Sequence, residues 1–189
     1  MIVKINFQRR EAYFVNYADI KRHDIANGTG VRVSLFVSGC THHCKGCFNS
    51  ETWDFSYGTP FTQETIDQIL LYCKPDYIAG LSLLGGEPFE RENQIALIPL
   101  VKQFKELFPQ KTIWCWSGYL FDRDIRDTMS VKWPETKEFL FYLDILVDGE
   151  FIEAQKNHSL VFRGSSNQRI ILVPESLKEN KILLWTPAD

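Results

Sequence analysis

The sequence predicts an α/β protein built on a parallel sheet. Short apolar runs rich in β-branched residues alternate with segments whose apolar residues recur at helical spacing, and turn-forming residues end each apolar run. Such alternation favours parallel strands joined by right-handed crossovers. Chemically distinctive residues follow directly after the apolar runs, which is where parallel sheets place their functional sites.

The first half of the chain contains a predicted strand, helix and strand. The first strand spans residues 31–37, where apolar and β-branched residues dominate. The helix begins after Thr62 as its N-cap, and it ends before Pro75. The second strand spans residues 81–84 and ends at a Gly-Gly-Glu-Pro turn.

The second half continues the alternation. A helix runs through residues 100–108, although Pro99 obscures where it starts. A third strand spans residues 112–116, a polar segment at 122–128 is a candidate helix, and a fourth strand spans 142–147. The carboxyl ends of these strands are therefore expected to meet at one edge of the sheet.

Composition narrows the class of protein. The chain has 189 residues, of which 44% are hydrophobic, and no repeat or linker divides it, so a single domain over 1–189 is expected. A net charge of −3 supplies no broad basic surface and argues against nucleic acid as the main partner. No apolar stretch approaches the roughly 18 residues of a membrane span, and charged residues interrupt the N-terminus, so a cytoplasmic protein without a membrane partner is expected.

Three of the five cysteines lie within eight residues. Cys40, Cys44 and Cys47 form a Cx3Cx2C run directly after the first predicted strand. Structural zinc and ordinary iron–sulfur clusters take four ligands, so three thiolates indicate a cluster with one open iron that can bind a substrate. Gly39 and Gly46 relieve the backbone where the loop would turn close to the inorganic core.

Other interpretations of the cysteines remain open at this point. A structural zinc site would recruit His42 or His43 as its fourth ligand, and a thiol–disulfide enzyme would use Cys44 and Cys47 as a CxxC pair. The favoured interpretation leaves both histidines as solvated loop residues or as donors to the cluster sulfurs. The two remaining cysteines, one on a helix and one in a strand, are predicted to be small core residues: Cys73 and Cys115.

Two further turns follow predicted strands and carry candidate ligand-binding groups. Gly85 and Gly86 let the backbone approach a ligand closely, and Glu87 adds a carboxylate suited to an ammonium group. Together they suit an amino acid moiety. Ser117 could either form a hydrogen bond with a ribose hydroxyl or stabilise a turn. Asp148 likewise has two possible roles, one in the site and one in the structure.

These motifs resemble a known family. The Cx3Cx2C loop and Gly85-Gly86-Glu87 resemble those of radical S-adenosylmethionine enzymes. A closer likeness, over about residues 13–172, is to the family of proteins that activate anaerobic ribonucleoside-triphosphate reductase. It rests on the motifs around the turns named above and on these further segments: Asn27-Gly28-x-Gly30-x-Arg32, Trp53, Trp116-Ser-Gly-Tyr119, Leu146-Val-Asp-Gly149 and Phe162-Arg-Gly-Ser-Ser-Asn-Gln168.

The resemblance implies a partial, open (β/α) barrel and a set of ligand roles. Cys40, Cys44 and Cys47 would hold one [4Fe-4S] cluster, whose fourth iron is chelated by S-adenosylmethionine. The segment Gly46-Cys47-Phe48 would meet this cofactor, with Phe48 packing on its adenine. The methionine end would lie near Gly86, flanked by Gly85 and Glu87. No catalytic residue beyond the cluster and the cofactor is implied.

The implied activity is reductive cleavage of S-adenosylmethionine to a 5′-deoxyadenosyl radical, which generates a glycyl radical on the large subunit of the reductase. A reduced flavodoxin-like protein is the implied electron donor. Alternatives are an activase of a different glycyl radical enzyme, a radical enzyme acting on a small molecule and, more remotely, a zinc-binding interaction module. The chain departs from the family in having Thr29 where proline is usual, and in a C-terminal extension over about 174–189.

Overall fold

The structure is a computed structural model that describes residues 15–187, in which seven strands form one open, mixed sheet. The first fourteen residues, which include the expected start of the core near residue 13, and the last two residues of the C-terminal extension lie outside the described residues. In chain order the strands are β1 (Asn16–Asp24), β2 (Val31–Val37), β3 (Thr59–Pro60), β4 (Ile78–Gly85), β5 (Thr112–Trp116), β6 (Ile145–Asp148) and β7 (Arg169–Leu172).

The centre of the sheet is parallel and its edges are antiparallel. The strand order is β3-β1-β2-β4-β5-β6-β7, in which β2, β4, β5 and β6 run parallel while β1, β3 and β7 pair antiparallel. The α/β class with a parallel sheet is thus confirmed, and the sheet is not closed. The helices are α1 (Gln63–Tyr72), α2 (Arg91–Leu107), a π-helix (Phe121–Met129), α3 (Ser130–Lys132), α4 (Pro134–Phe141) and α5 (Val173–Glu179).

Most predicted elements are confirmed, and one boundary is wrong. The strands expected at 31–37, 81–84 and 112–116 and the helix capped by Thr62 are present. The strand expected at 142–147 begins only at Ile145, because α4, started by Pro134, is still ending at Tyr142. Pro99 lies inside α2, which starts eight residues before it at Arg91.

The two faces of the sheet are built differently. The helix face is the side covered by helices, and it holds the main apolar core, including Val33, Leu83 and Phe104. Cys73 and Cys115 are fully buried in this core, which confirms their expected role. Alternate strand residues point to the other side, the open face, where Trp114, Ile145, Val147 and Ile170 form a second apolar cluster together with Trp116, Phe162, Leu172 and Trp185.

Arg32 explains the Asn-Gly-x-Gly-x-Arg motif in structural terms. Its fully buried guanidinium lies on the open face and donates hydrogen bonds to Ser82 Oγ at 2.7 Å, Leu81 O at 2.8 Å and Thr112 O at 2.7 Å. Burial lowers the pKa of Arg32 to about 10, which leaves it charged at neutral pH. One side chain therefore links β2, β4 and β5 below the site.

Among residues 15–187, no helix combines the length and apolar character that crossing a bilayer requires.

Candidate functional site

The cysteine loop leaves β2 and is held in place by backbone hydrogen bonds. Gly39 N donates to Thr52 O at 2.8 Å and Cys40 N donates to Trp53 O at 3.2 Å, so the short 3-10 helix Ser50–Trp53 supports the loop from behind. Gly39 has a φ of 93°, and a Cβ there would lie 2.3 Å from the ring of Phe55. The position therefore requires glycine, both for its conformation and for space.

The Gly-Gly-Glu turn after β4 packs directly against the cysteine loop. Gly86 N donates to Val37 O at 2.7 Å, and Glu87 N donates to Gly39 O at 2.8 Å. A Cβ on Gly86 would lie 2.6 Å from Gly39 O, and Gly85 has a φ of 106°. The two glycines therefore let the β4 turn and the cysteine loop approach each other as one unit.

Asn93, which lies in the first turn of α2, ties the same two loops together. Its buried Nδ2 donates to Ser38 O at 3.0 Å and to Glu87 O at 2.9 Å. This role of Asn93 was not predicted from the sequence, because a single asparagine near a helix start is usually a cap or a solvated group. The only signal was an asparagine six residues after the Gly-Gly-Glu turn, and that spacing is not specific.

Glu87 is buried and already has protein partners. Its Oε1 accepts a hydrogen bond from Phe89 N at 2.8 Å, and its Oε2 accepts one from Gly118 N at 2.7 Å. The carboxylate thus joins the β4 turn to the β5 turn. Whether it also receives an ammonium group stays a prediction.

His42 connects the cysteine loop to the turns after β4 and β6, so it is not the solvated loop residue that was one of the expectations. Its Nδ1 lies 2.9 Å from Glu150 Oε1, and its Nε2 lies 3.1 Å from Glu87 Oε2 in an ion-pair contact without hydrogen-bond alignment. Burial alone would lower the pKa of His42, but the two carboxylates raise it to about 9. The imidazole also packs edge-on against Tyr119, at 4.3 Å between ring centroids.

The geometry of the described residues does not favour a zinc site that uses His42 or His43 as a ligand. Both nitrogens of His42 face carboxylates, and His43 stacks on Trp53 at 4.7 Å between ring centroids. Within residues 15–187, no group of three or more His, Cys, Asp or Glu side chains is gathered around a single-ion position. An iron–sulfur cluster has a different requirement, because each thiolate binds a separate iron and the sulfurs are therefore spread around the cluster.

The three loop cysteines line one cavity of about 640 Å³ at the carboxyl ends of the parallel strands. This volume is in the usual range for a small-molecule site. Of the predicted site residues, the cavity is lined by Cys40, Cys44, Cys47, Phe48, Gly85, Gly86, Glu87 and Ser117. The convergence of the strand-end segments that the sequence analysis expected is therefore observed.

Gly46 does not line this cavity and lies on the outer side of the loop. It has a φ of 74°, and a Cβ there would lie 2.9 Å from Glu153 Oε1. Ser117 Oγ accepts a hydrogen bond from Tyr119 N at 3.1 Å, as in a serine-stabilised turn. Ser117 is nevertheless one of the residues that line the cavity.

Two of the loop thiols, Cys40 and Cys44, are poorly suited to act as free nucleophiles. Burial raises the pKa of Cys40 to about 12, and burial also raises the pKa of Cys44. A thiol of this kind is protonated at neutral pH unless a metal displaces the proton. Because an efficient redox CxxC pair requires a lowered thiol pKa, the thiol–disulfide interpretation fits poorly.

Phe48 lies at the mouth of the cavity with 64% of its surface exposed. Its ring is 5.3 Å from that of Phe151, and Lys156 Nζ lies 4.7 Å from its centroid. An exposed aromatic face at a cavity mouth is suited to packing on a planar ligand. The neighbouring wall of the cavity comes from residues 156–168, which include Leu160, Phe162 and Arg163.

Asp148 has a structural role in the geometry. Its fully buried carboxylate accepts hydrogen bonds from Phe121 N at 2.7 Å and from Arg169 Nε at 2.9 Å. Arg169 also binds Asp122, so this network joins β6, β7 and the π-helix. Asp148 does not line the cavity.

The cysteine loop, the strand-end turns and the cavity are features expected of an iron–sulfur protein, and comparison with known families agrees. The 4Fe-4S single cluster domain family matches residues 26–171. This match supports an iron–sulfur cluster in the protein. Cysteine thiolates are the usual ligands of such clusters, and three cysteines line the cavity.

Curated relatives define the family more narrowly. The chain is 42% identical over 158 residues to the anaerobic ribonucleoside-triphosphate reductase-activating protein of Pasteurella multocida, covering 82% of this chain and 96% of the relative. The protein of the same name from Escherichia coli K12 is 40% identical over 156 residues, covering 82% of this chain and 96% of the relative. That of Enterobacteria phage T4 is 39% identical over 156 residues, covering 82% and 93%. The chain belongs to the family of anaerobic ribonucleoside-triphosphate reductase-activating proteins, which confirms the resemblance inferred from its motifs.

Proposed function

We propose that this protein is a radical S-adenosylmethionine activase that generates a glycyl radical on the anaerobic ribonucleoside-triphosphate reductase. The observation that carries the proposal is the meeting of three loop cysteines and a Gly-Gly-Glu turn in one cavity, in a chain whose relatives are named as activating proteins of that reductase. When bound, the reduced cluster and S-adenosylmethionine supply a 5′-deoxyadenosyl radical able to remove hydrogen from a glycine Cα.

In this proposal the chain holds and orients its cofactors. Cys40, Cys44 and Cys47 are the cluster ligands, in an environment where burial leaves Cys40 protonated until metal binds. The backbone of Gly85 and Gly86 faces the amino acid end of S-adenosylmethionine. The hydrogen bonds from Phe89 and Gly118 hold the Glu87 carboxylate in place, which fixes the orientation of the whole turn.

The adenosine end is assigned to the outer part of the cavity. Phe48 would pack on the adenine there, next to Phe151, and Ser117, which lines the same cavity, would meet the ribose. Gly46 contributes the turn that presents Cys47 and Phe48 rather than a direct contact, because it lies outside the cavity. No protein acid or base is assigned.

The finer fold assignment is a partial, open (β/α) barrel. Its support is that β2, β4, β5 and β6 are parallel, with α1, α2 and α4 packed in the core of one face and the cavity at the carboxyl ends. An open sheet suits a substrate that is a loop of a large protein, because the partner can insert its glycine from the uncovered side. The assigned partners are the large reductase subunit and a reduced flavodoxin-like donor, and the assigned location is the cytoplasm.

The test is electron paramagnetic resonance on anaerobically reconstituted, reduced protein. We expect a reduced [4Fe-4S] signal whose shape changes when S-adenosylmethionine is added. A glycyl radical signal should then appear on the large reductase subunit in the complete mixture. Protein that binds zinc but neither iron nor sulfide would overturn the proposal.

The target is tested separately, because the same chemistry serves other glycyl radical enzymes. The complete mixture is repeated with an unrelated glycyl radical enzyme in place of the reductase. A radical on the reductase alone supports the assignment. An equal radical on both proteins, or equal turnover on a small molecule, would leave the radical chemistry standing and remove the proposed target.

A further inference from the structure

The chain continues past the residues matched by the family, which end at 171, and its C-terminal segment returns to the sheet. After α5, Asn180 adopts a left-handed conformation with a φ of 50°, which reverses the chain. Leu183 N then donates to the hydroxyl of the buried Ser176 at 2.9 Å. The returning segment, residues 182–187, is here called the C-terminal segment.

The C-terminal segment pairs with β7 at the edge of the sheet. Leu172 N donates to Leu183 O at 2.9 Å, and Trp185 N donates to Ile170 O at 2.8 Å. Between these bonds, Leu184 faces Ile171 in an antiparallel bridge. Because side chains alternate along an extended chain, Leu184 is left 56% exposed while Trp185 turns onto the open face.

Trp185 contacts two aromatic residues of the open face. Its ring centroid is 5.4 Å from that of Trp114 in an edge-to-face arrangement, and 6.0 Å from that of Phe162. Phe162 also meets Trp114 edge-on at 5.2 Å. These three rings therefore pack on one another, at the separations favoured for aromatic pairs.

Phe162 belongs to the outer wall of the cavity, the wall loop of residues 156–168. It has a φ of 57°, an unusual conformation for a large residue that surrounding contacts must hold. Its carbonyl accepts a hydrogen bond from Trp116 Nε1 at 3.0 Å, and both Trp116 and Phe162 line the cavity. The next residues, Arg163 and Gly164, line it as well.

We propose that the C-terminal segment braces the wall loop, with Trp185 as a positioning residue that holds Phe162 and so shapes the outer wall of the cavity. The wall loop contains no helix or extended strand, and near its C-terminal end it is tied to the rest of the molecule through Ser166 N to Gln155 O and Gln168 Nε2 to Gly149 O. Its middle, around Phe162, is held by the hydrogen bond from Trp116 and by the aromatic contacts with Trp114 and Trp185. The consequence for ligand affinity rests on the proposed function.

The experiment compares Trp185→Ala with Leu184→Ala in the full chain. Leu184 is the matched control, since it occupies the same edge pairing with its side chain exposed. Hydrogen exchange in the metal-free protein is followed for the wall loop and, as an internal reference, for β4. We expect exchange in the middle of the wall loop to be roughly tenfold faster in Trp185→Ala, the scale set by losing one to two aromatic contacts. The control and the β4 reference should be unchanged, and Trp185→Phe should restore most of the protection.

Affinity for S-adenosylmethionine is then measured on the reconstituted proteins. We expect binding to Trp185→Ala to be about fivefold to tenfold weaker, with iron content unchanged. Unchanged exchange in the wall loop, or an equal change in Leu184→Ala, would overturn the proposal that the C-terminal segment braces the wall loop. Faster exchange with unchanged affinity would overturn its link to the ligand. If the wild-type protein binds no S-adenosylmethionine, the proposed function fails while the exchange result still decides the brace.

Should Trp185→Ala fail to fold, Trp185→Phe decides the question instead. It keeps an aromatic ring but loses part of the contact with Phe162, so exchange should quicken about twofold to threefold in the wall loop alone. Exchange that quickens equally in β4 would show a general loss of stability and would overturn the proposal.

Discussion

The helix face and the open face of the sheet come from the same strands, yet they serve different purposes. On β4, Leu81 and Leu83 are fully buried under helices, whereas their neighbours Ser82 and Leu84 point to the open face. Ser82 accepts a hydrogen bond from Arg32, and Leu84 lines the cavity. Because strand residues alternate between faces, one strand can supply apolar packing for stability on one side and a functional surface on the other.

The difference lies in how each face removes its groups from water. The helix face is filled mainly by aliphatic and aromatic side chains that need no partners. The open face buries the guanidinium of Arg32 and the hydroxyl of Ser82, which require hydrogen bonds, and it leaves room for a ligand. Substitutions should therefore affect stability on one face and binding on the other.

The largest expected effect is on the cysteine loop. Cys47→Ala should abolish cluster assembly and reduce glycyl radical formation to background, because a cluster with only two protein thiolates is not held. Iron and sulfide analysis of anaerobically reconstituted protein measures this directly. Cys73→Ala is the matched control on the helix face, where the loss of a small buried side chain should cost about 1 kcal/mol of folding free energy and leave iron binding intact. Equal iron loss in both variants would contradict the assignment of ligands.

A pair of leucines on β4 compares the two faces directly. Leu83→Ala should lower the free energy of unfolding by about 3 kcal/mol, since it leaves a cavity in a fully buried core. Leu84→Ala should cost less stability, because its side chain already borders an open cavity, and it should weaken binding of S-adenosylmethionine instead. Urea unfolding and ligand titration measure the two effects. The comparison fails if Leu84→Ala is as destabilising as Leu83→Ala.

Substitution of Arg32 tests whether stability depends on the several hydrogen bonds that its planar guanidinium donates on the open face. Arg32→Lys should cost about 2 kcal/mol, because an ammonium group keeps the charge but cannot reach all the acceptors on β4 and β5 that the guanidinium serves. Arg22→Lys, on the exposed side of β1, is the same change without buried acceptors and should be close to neutral. Urea unfolding at neutral pH measures both variants. A near-neutral Arg32→Lys would show that only the charge matters.

The smallest effect concerns Asp122, in the first turn of the π-helix. A hydrogen bond from Arg169 holds the pKa of Asp122 below its usual value, so its contribution to stability is present above about pH 4 and is lost as pH falls through the folded-state pKa. Asp122→Asn should lower stability at pH 7 by less than about 1 kcal/mol, since the pair is partly exposed and screened by water.

The difference between Asp122→Asn and the wild type should shrink as the pH approaches 3, and unfolding measured at several pH values tests this. Asp76→Asn, which changes an exposed carboxylate before β4, controls for the loss of one surface charge. A difference that grows at low pH would contradict the sign expected for this carboxylate.

The periodicity of apolar residues and the positions of turn residues were sufficient to predict the central strands of the sheet. Strands β2, β4 and β5 are largely buried on both faces, and their many apolar residues made them visible as apolar runs. The antiparallel strands were missed, because β1 is rich in charged residues and half-exposed, β3 is only two residues long and β7 only four. The start of β6 was misplaced because the apolar end of α4 merges with it in the sequence.

The sequence by itself determined the cysteine spacing, the Gly-Gly-Glu turn, the parallel α/β class and, through its motifs, the family. These are local properties, written in residues that lie close together in the chain. Only the tertiary structure decided that His42 lies between Glu87 and Glu150, that Asn93 ties two loops together, and that Trp185 meets Phe162. His42 and Glu150 are separated by 108 positions in the chain. Contacts between distant residues depend on how the strands are ordered and paired, and no local pattern records that order.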